Sequence, residues 1–373
     1  SPNMLMRDPV IYRSMISNHH RTGDAWKIYP MYDWTHGESD YIEQVSHSLC
    51  TLEFEPHREL YDWFLDSISP LKGVRPKQRE FSRLNLSYTI TSKRNLAKLV
   101  EENLVDGWDD PRMPTISGLR NRGYSPESLK MFALTVGVSK RESVIDVSLL
   151  EFCARAHLNE VAPRAMAIIN PLKLTITNYE DKTFEEIKFE INPQKKEIGA
   201  RKIKFSKRIY IERDDFKEAA DDNFFRLKTG GEVRLKNAYI IKATEVLKNE
   251  NGEVVEVLCE YDKKSKSGSN TPESNRKVKG TIHWVSATYS VDAKINIYDR
   301  LFKVSEPGKE NDLLADINED SLQVFEAKVE PHLQSAKEGE KFQFQRTGYF
   351  VRTTNKETLE FNKTVGLRDS WKK

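Results

Sequence analysis

Cysteine is scarce in this chain, and so is any long apolar run. Cys50, Cys153 and Cys259 are the only 3 cysteines, far apart and without a CxxC pair. That excludes a disulfide framework and a cysteine-built zinc site, and it fits a reducing cytoplasm. No apolar stretch approaches the ~20 residues that a spanning helix requires, and nothing at the amino end reads as a signal peptide. No membrane partner is expected. Charge of one sign is lacking too, with 59 Lys plus Arg against 57 Asp plus Glu. Any nucleic-acid surface must therefore come from local clustering. What remains is ample for folding. Hydrophobic residues make up 38% of 373, and a mean hydropathy of −0.65 describes a water-facing chain of two to four domains.

The stretch Glu80–Leu96, EFSRLNLSYTITSKRNL, organises the rest. Leu84, Leu86, Tyr88 and Ile90 alternate with Arg83, Asn85, Ser87 and Thr89, the period of a strand with one wet face. The strand is expected to end in Thr91-Ser92-Lys93-Arg94, before Leu96, Leu99 and Val100 begin a helical spacing. A basic, small-polar loop at the carboxyl end of a strand is where α/β sheets place phosphate chemistry. Lys93 and Arg94 could there neutralise charge moving onto a leaving pyrophosphate. An ordinary basic strand-to-helix turn would look the same.

The run from Arg79 through GWDDPRMPTISGLRNRGYSPESL resembles the region around the mobile Lys-Met-Ser-Lys-Ser signature of class I aminoacyl-tRNA synthetases. Upstream, IYPMYDWTHGESDYIEQVSHSLCTLEFEPHRELYDWFLD is similar to the glutaminyl-tRNA synthetases, as are FQFQRTGYF and FNKTVGLRDSW near the far end. The resemblance covers essentially the whole chain. It implies an α/β plus all-β architecture: a partial Rossmann-like catalytic half-domain, a helical connector and two β-barrels for the anticodon. The opening SPNMLMRDPVIYR matches an internal part of the family, so the chain is expected to be a fragment. Its missing half would carry the His-Ile-Gly-His signature that holds ATP, and HGES at His36 is no substitute. Alone, this piece is expected to bind tRNA without forming an adenylate.

Taken in order, residues 1–30 resemble the end of the acceptor-stem-binding domain. HHRTGDAWKIYP alternates basic and aromatic side chains, as an RNA edge or a solvated hairpin would, with His19 and His20 at its tip. Residues 31–97 read as the second catalytic half, with helices at Tyr41–Leu52 and Arg58–Leu65. The resemblance places Tyr32, His36, Ser48, Cys50 and Gln78 around the glutamine side chain. A neutral carboxamide wants donors and acceptors without net charge, whereas a glutamate pocket wants a cation. Glutamate-specific relatives tend to carry arginine where Cys50 stands. Simple packing is the alternative for Cys50. Two departures stand out. Thr91 replaces a Met before the Ser-Lys pair, and Pro56 replaces an Asp that reads the acceptor stem in close relatives, leaving that contact to Glu55 or to nothing.

Residues 98–163 read as the connector. Arg112 is expected to be held by Asp109 or Asp110, and Ser125 to cap a helix beginning at Pro126. From residue 164 to 373 the pattern is short strands and turns, including an Asn251-Gly252 hairpin and a flexible basic loop at Lys263–Gly280. Regular strands with turns imply barrels, the distal one at about 216–300 and the proximal one from the flanking segments. By matching positions, Asn159, Arg164, Arg226, Arg234, Lys236, Gln343 and Arg346 are expected to read the anticodon, since splayed bases offer edges to Arg forks and Gln amides. For each alone, a solvated surface group is the other reading. The implied reaction ligates glutamine to its tRNA with ATP. Ser92, Lys93 and Arg94 form the catalytic loop, and Mg2+ bridges phosphates through no ligand assignable here. A glutamyl relative and a non-catalytic tRNA-binding module are the alternatives. A monomer in the cytoplasm is expected.

Overall fold

The structure is a computed structural model that describes residues 1–68, 72–221, 223–310 and 312–368. The closing Asp369, Ser370 and Trp371 of the FNKTVGLRDSW motif lie outside them. The chain divides into two compact units, residues 1–85 with 136–145, and residues 86–135 with 146–373.

In the first unit, Tyr12–Ser14 pairs antiparallel with Ile28–Pro30, and the hairpin carries His19 and His20 near its tip, where His19 and Gly23 exchange backbone hydrogen bonds. The helix Tyr32–Ile42 and the helix Arg58–Ser67 then flank the strand His47–Thr51. That strand pairs in parallel with Lys77–Phe81, setting Ser48 opposite Gln78 and Cys50 opposite Glu80. Parallel neighbours need a crossover, and Arg58–Ser67 supplies it, burying Leu60, Tyr61, Phe64 and Leu65.

Two expectations change here. The helix expected at Tyr41–Leu52 lies earlier, at Tyr32–Ile42. Gln44 takes a left-handed φ of 58°, its side-chain amide donates to the Tyr41 carbonyl, and the chain turns into strand. The strand expected through Ile90 lies at Lys77–Phe81 instead. Beyond it only Asn85–Leu86 is extended, and Tyr88 adopts a φ of 57°, which no continuous strand permits.

The second unit is built on two seven-stranded sheets. In the first, the order runs Thr281–Ile282, Glu232–Leu235, Ile240–Lys248, Val254–Tyr261, Pro171–Ile176, Arg208–Glu212, Val285–Ser286. Its two edge strands are thus joined by His283 and Trp284 alone, so the sheet must curl round on itself to bring its edges that near. The second repeats the device. Its order is Arg164–Ala165, Lys341–Phe344, Gly348–Arg352, Glu360–Gly366, Val291–Tyr298, Leu322–Val329, Ala167–Ile168, and only Met166 separates its edges. Both sheets are therefore barrel-like. The first draws on residues 171–286, where the expectation placed a barrel at about 216–300.

The segment Ala165–Ile169 serves both interiors by strict alternation. Met166 and Ile168 enter the first core with Leu174, Phe205 and Trp284. Ala165, Ala167 and Ile169 enter the second with Phe344, Phe350 and Phe361. The Asn251-Gly252 turn joins two antiparallel strands as expected. Lys263–Gly280 is not a loose loop: short helical turns at Lys263–Ser265 and Pro272–Asn275 wrap the Arg234 side chain. Arg112 is gripped by Asp110, Nη2 to Oδ2 at 2.6 Å, and the Ser125 hydroxyl accepts from the Ser128 amide at the start of Pro126–Val136.

Candidate functional site

In the first unit, Tyr32 and His36 sit one turn apart on the same helix, with Tyr32 Oη 3.3 Å from His36 Nδ1. Tyr32 is half exposed, its ring against Phe54. His36 Nε2 lies 3.4 Å from Asp40. Ser48, expected on the pocket wall, is fully buried. Its hydroxyl donates to Asp40 and lies 2.6 Å from Tyr61 Oη. Gln78 is buried as well, its amide donating to the Phe54 carbonyl at 2.8 Å and to Glu80 at 2.9 Å. These two are therefore structural, and of the expected pocket residues Tyr32, His36 and Cys50 are the ones left partly exposed. Burial, helped by the Glu80 charge, pushes the Cys50 thiol up, so it stays neutral at physiological pH.

Below lies a network that sequence reading missed. Glu80, with no side-chain exposure, accepts both an Nε hydrogen bond at 2.8 Å and an Nη2 bond from Arg58, with Lys140 at 3.3 Å. The Arg58 bonds hold its carboxyl well below the usual range, at about 2. Among the described residues, Arg58, the cation nearest to act on Cys50, is thus already paired with a buried carboxylate. Glu80 falls on the inward parity of its strand beside Gln78, which is the only signal that could have found it. Glu55 stays exposed beside Pro56, 3.9 Å from Arg58.

In the second unit, the expected loop Ser92-Lys93-Arg94 is the start of a helix, with Ser92 at its cap position and Lys93–Glu101 helical. Leu96 and Leu99 anchor that helix beside Ile90, Val105 and Met113, and Thr91, Ser92, Lys93 and Arg94 are all exposed. The first turn holds no acidic residue. Two cations at the positive end of a helix oppose its dipole, by about 0.3–1 kcal/mol each. The same geometry, amide N–H groups plus two cations, suits a polyanion.

The residues expected to read the anticodon separate into two groups, with Arg234 apart from both. Arg164, Lys236 and Gln343 line one open cleft of about 600 Å³ with Lys188, Phe189 and Gln345. Register brings them together, since Gln343 is the parallel ladder partner of Arg164. Arg164 is buried and donates to the Asn159 and Ala162 carbonyls and to Asn159 Oδ1. Asn159 is thus the clamp that aims it. Lys236 Nζ reaches Gln345 Oε1 at 2.8 Å, and burial followed by Arg346 and Arg164 presses its ammonium down. Gln343 Oε1 is buried and has no hydrogen-bond partner among the described residues, on a residue that lines the cleft.

Arg226 and Arg346 converge instead on Asp215, itself buried. Arg346 binds it through both terminal nitrogens, at 2.5 and 2.8 Å, and touches His283 at 3.1 Å. Arg226 Nε lies 3.3 Å away. Arg234 is turned inward, donating to Ser265, Ser274 and Arg276 carbonyls. It holds the 263–280 segment, and its guanidinium is not offered to a ligand. Lys188 and Gln345 were not foreseen. Gln345 lies two residues beyond Gln343, on the same strand face by parity.

Among the described residues no group of three or more His, Cys, Asp or Glu could hold a metal ion, and no helix is long and apolar enough to cross a membrane.

Comparisons with known proteins give the family. Residues 1–160 match the family model for tRNA synthetases class I (E and Q), catalytic domain. Residues 162–262 and 281–353 match the anti-codon binding domain models of the same group. The chain is 50% identical over 376 residues to the glutamine–tRNA ligase of Cronobacter sakazakii, covering 100% of this chain and 67% of that protein. It is 51% identical to that of Rhodopirellula baltica, covering 100% and 62%, and 51% identical to that of Vibrio vulnificus, covering 99% and 66%. It thus spans about two thirds of the length of these curated relatives. With such identity along its whole length, and catalytic and anticodon-binding portions in that order, the chain belongs to the class I tRNA synthetases of the glutamate and glutamine group.

Proposed function

We propose that this chain is the glutamine-side and anticodon-side portion of an ATP-dependent glutamine–tRNA ligase acting in the cytoplasm. In the whole protein, glutamine is activated as its adenylate and then esterified to the terminal ribose of its tRNA. The parallel pair and crossover helix of the first unit read as part of the doubly wound nucleotide sheet. Tyr32, His36 and Cys50 meet the carboxamide, with Ser48 and Gln78 beneath them. The neutral surface at Cys50 favours glutamine over glutamate, because a carboxylate would find no unpaired cation there. Lys93, with Arg94 beside it, would hold the ATP phosphates. ATP supplies the energy of activation, and Lys93 neutralises charge developing at the phosphate oxygens. No residue is assigned to magnesium.

The observation that carries the RNA reading is the cleft where Arg164, Lys236 and Gln343 meet. Gln343 offers an unsatisfied acceptor, which suits the imino N–H of a splayed uridine, while the two cations suit its flanking phosphates. The test is binding of this chain to a glutamine-tRNA anticodon stem-loop and to a middle-base variant, across a salt series. Gln343→Ala should narrow the gap between the two RNAs by about 1–3 kcal/mol and leave the salt slope as it was. Equal affinity of the unaltered chain for both RNAs would reduce the cleft to a charged surface, and the base-reading assignment would fall.

A further inference from the structure

A second basic cleft lies in the same unit, away from the residues just discussed. It has a volume of about 470 Å³ and is walled by the end of the helix Ile116–Arg122, by Val147–Val161 and by the strands Val291–Tyr298 and Glu360–Gly366. Its walls carry five cations, Arg122, Arg155, Arg300, Lys363 and Arg368, against three carboxylates, Glu151, Asp299 and Asp320. The excess is not spread evenly. Glu151 lies 3.9 Å from Arg155 and 3.6 Å from Arg300, so one carboxylate is shared by two guanidiniums.

Arg122 spends both terminal nitrogens on backbone, donating to the Pro111 carbonyl at 3.4 Å and the Tyr298 carbonyl at 2.9 Å. Its Nε is buried without a partner among the described residues. Lys363 is half-buried beside it and forms no ion pair among the described residues, and burial together with the Arg122 charge holds its ammonium below the usual lysine range. Thr364, fully buried, has a hydroxyl with no hydrogen-bond partner among the described residues. Partly buried like charges with idle donors are unfavourable unless something compensates them.

We propose that this cleft is a phosphate-binding site, in which Lys363 and Arg155 neutralise a phosphate dianion. Lys363 supplies a point charge from the strand and Arg155 a planar fork from the helix, a division of labour suited to a tetrahedral anion. The phosphate can belong to an RNA backbone or to a free phosphate compound. The proposal stands apart from the anticodon reading, which uses the other cleft.

The test is calorimetric titration of the chain with inorganic phosphate, for the unaltered protein and for Lys363→Gln, Arg155→Gln and Lys236→Gln. Saturable binding that weakens at least tenfold in Lys363→Gln and severalfold in Arg155→Gln, with thermal melting showing both variants folded, is the expected result. If Lys363→Gln does not fold, Arg155→Gln decides alone. A second arm measures a plain RNA hairpin across a salt series. A slope about 0.7–0.9 shallower in Lys363→Gln names the RNA backbone as the source. An unchanged slope with lost phosphate binding names a free phosphate compound. Phosphate binding untouched in Lys363→Gln and Arg155→Gln, or lost only in Lys236→Gln, would overturn the proposal.

Discussion

Lys93 shows at the scale of one residue how function can be written against local preference. At the first position of its helix it opposes the dipole, so removing its charge should leave the fold intact or slightly firmer. If it stabilises charge on the ATP phosphates, Lys93→Ala in the whole protein should lower the rate of glutamine activation by roughly 10²–10³-fold. The melting temperature should not fall. Pyrophosphate exchange reads the rate, and a change confined to Michaelis constants would assign Lys93 to ground-state binding instead. Cys50 is the residue for amino-acid choice. Its neutral thiol stands above an already paired Arg58–Glu80 couple, so Cys50→Arg would introduce the one cation that surface lacks. Relative specificity constants should shift from glutamine towards glutamate. Unchanged ratios would return Cys50 to packing. At this scale the sequence was legible mainly where family positions matched. It could not show that Ser48 and Gln78 are buried or that Arg234 points inward, because burial is settled by partners remote in the chain.

Single elements were legible where pattern and turn chemistry agreed. Asn251-Gly252 announced its hairpin, Ser125-Pro126 its helix start, and the alternating runs after Pro171 their strands. The misread strand has a plain cause: alternation over a few residues is also what an irregular chain shows when its side chains go to separate places. Leu84 ends exposed, whereas Ile90 joins the cluster around Leu96 and Met113, so no common face existed to make a strand. Glycine at a helix end is a sharper signal. Gly123 closes Ile116–Arg122 with a φ of 100°, and a Cβ there would come within 2.2 Å of Thr364 Oγ1 and 2.9 Å of Val351 Cβ. Gly123→Ala combines a left-handed penalty with overpacking and should destabilise the second unit by about 2–4 kcal/mol. Chemical denaturation measures it, and a loss under about 0.5 kcal/mol would mean that the neighbouring strand yields easily.

For the molecule as a whole, the buried charges set how it meets acid. Glu80 is held at about 2 in the folded state, mainly by Arg58, while its unfolded carboxyl titrates near 4.5. The stability it lends is therefore complete above pH 4.5 and disappears as pH falls towards 2. Glu80→Gln should cost about 3 kcal/mol at neutral pH by stranding Arg58. The urea midpoints of variant and parent should converge through that acid window, and a gap independent of pH would show that packing, not charge, is what Glu80 provides. The segment Ala165–Ile169 has a consequence in time. A ribosome moving at about 5–20 residues per second reaches Gly366 some 10–40 s after Ile168. For about the last 4–16 s of that delay the Met166 and Ile168 side of the segment can already be sealed, since the last strand of its sheet is made by Ser286. The other side must wait for partners not yet made. Two of its three side chains are methyl groups, about the least adhesive apolar surface a nascent chain can leave uncovered, so the interval passes with little for a neighbouring chain to seize.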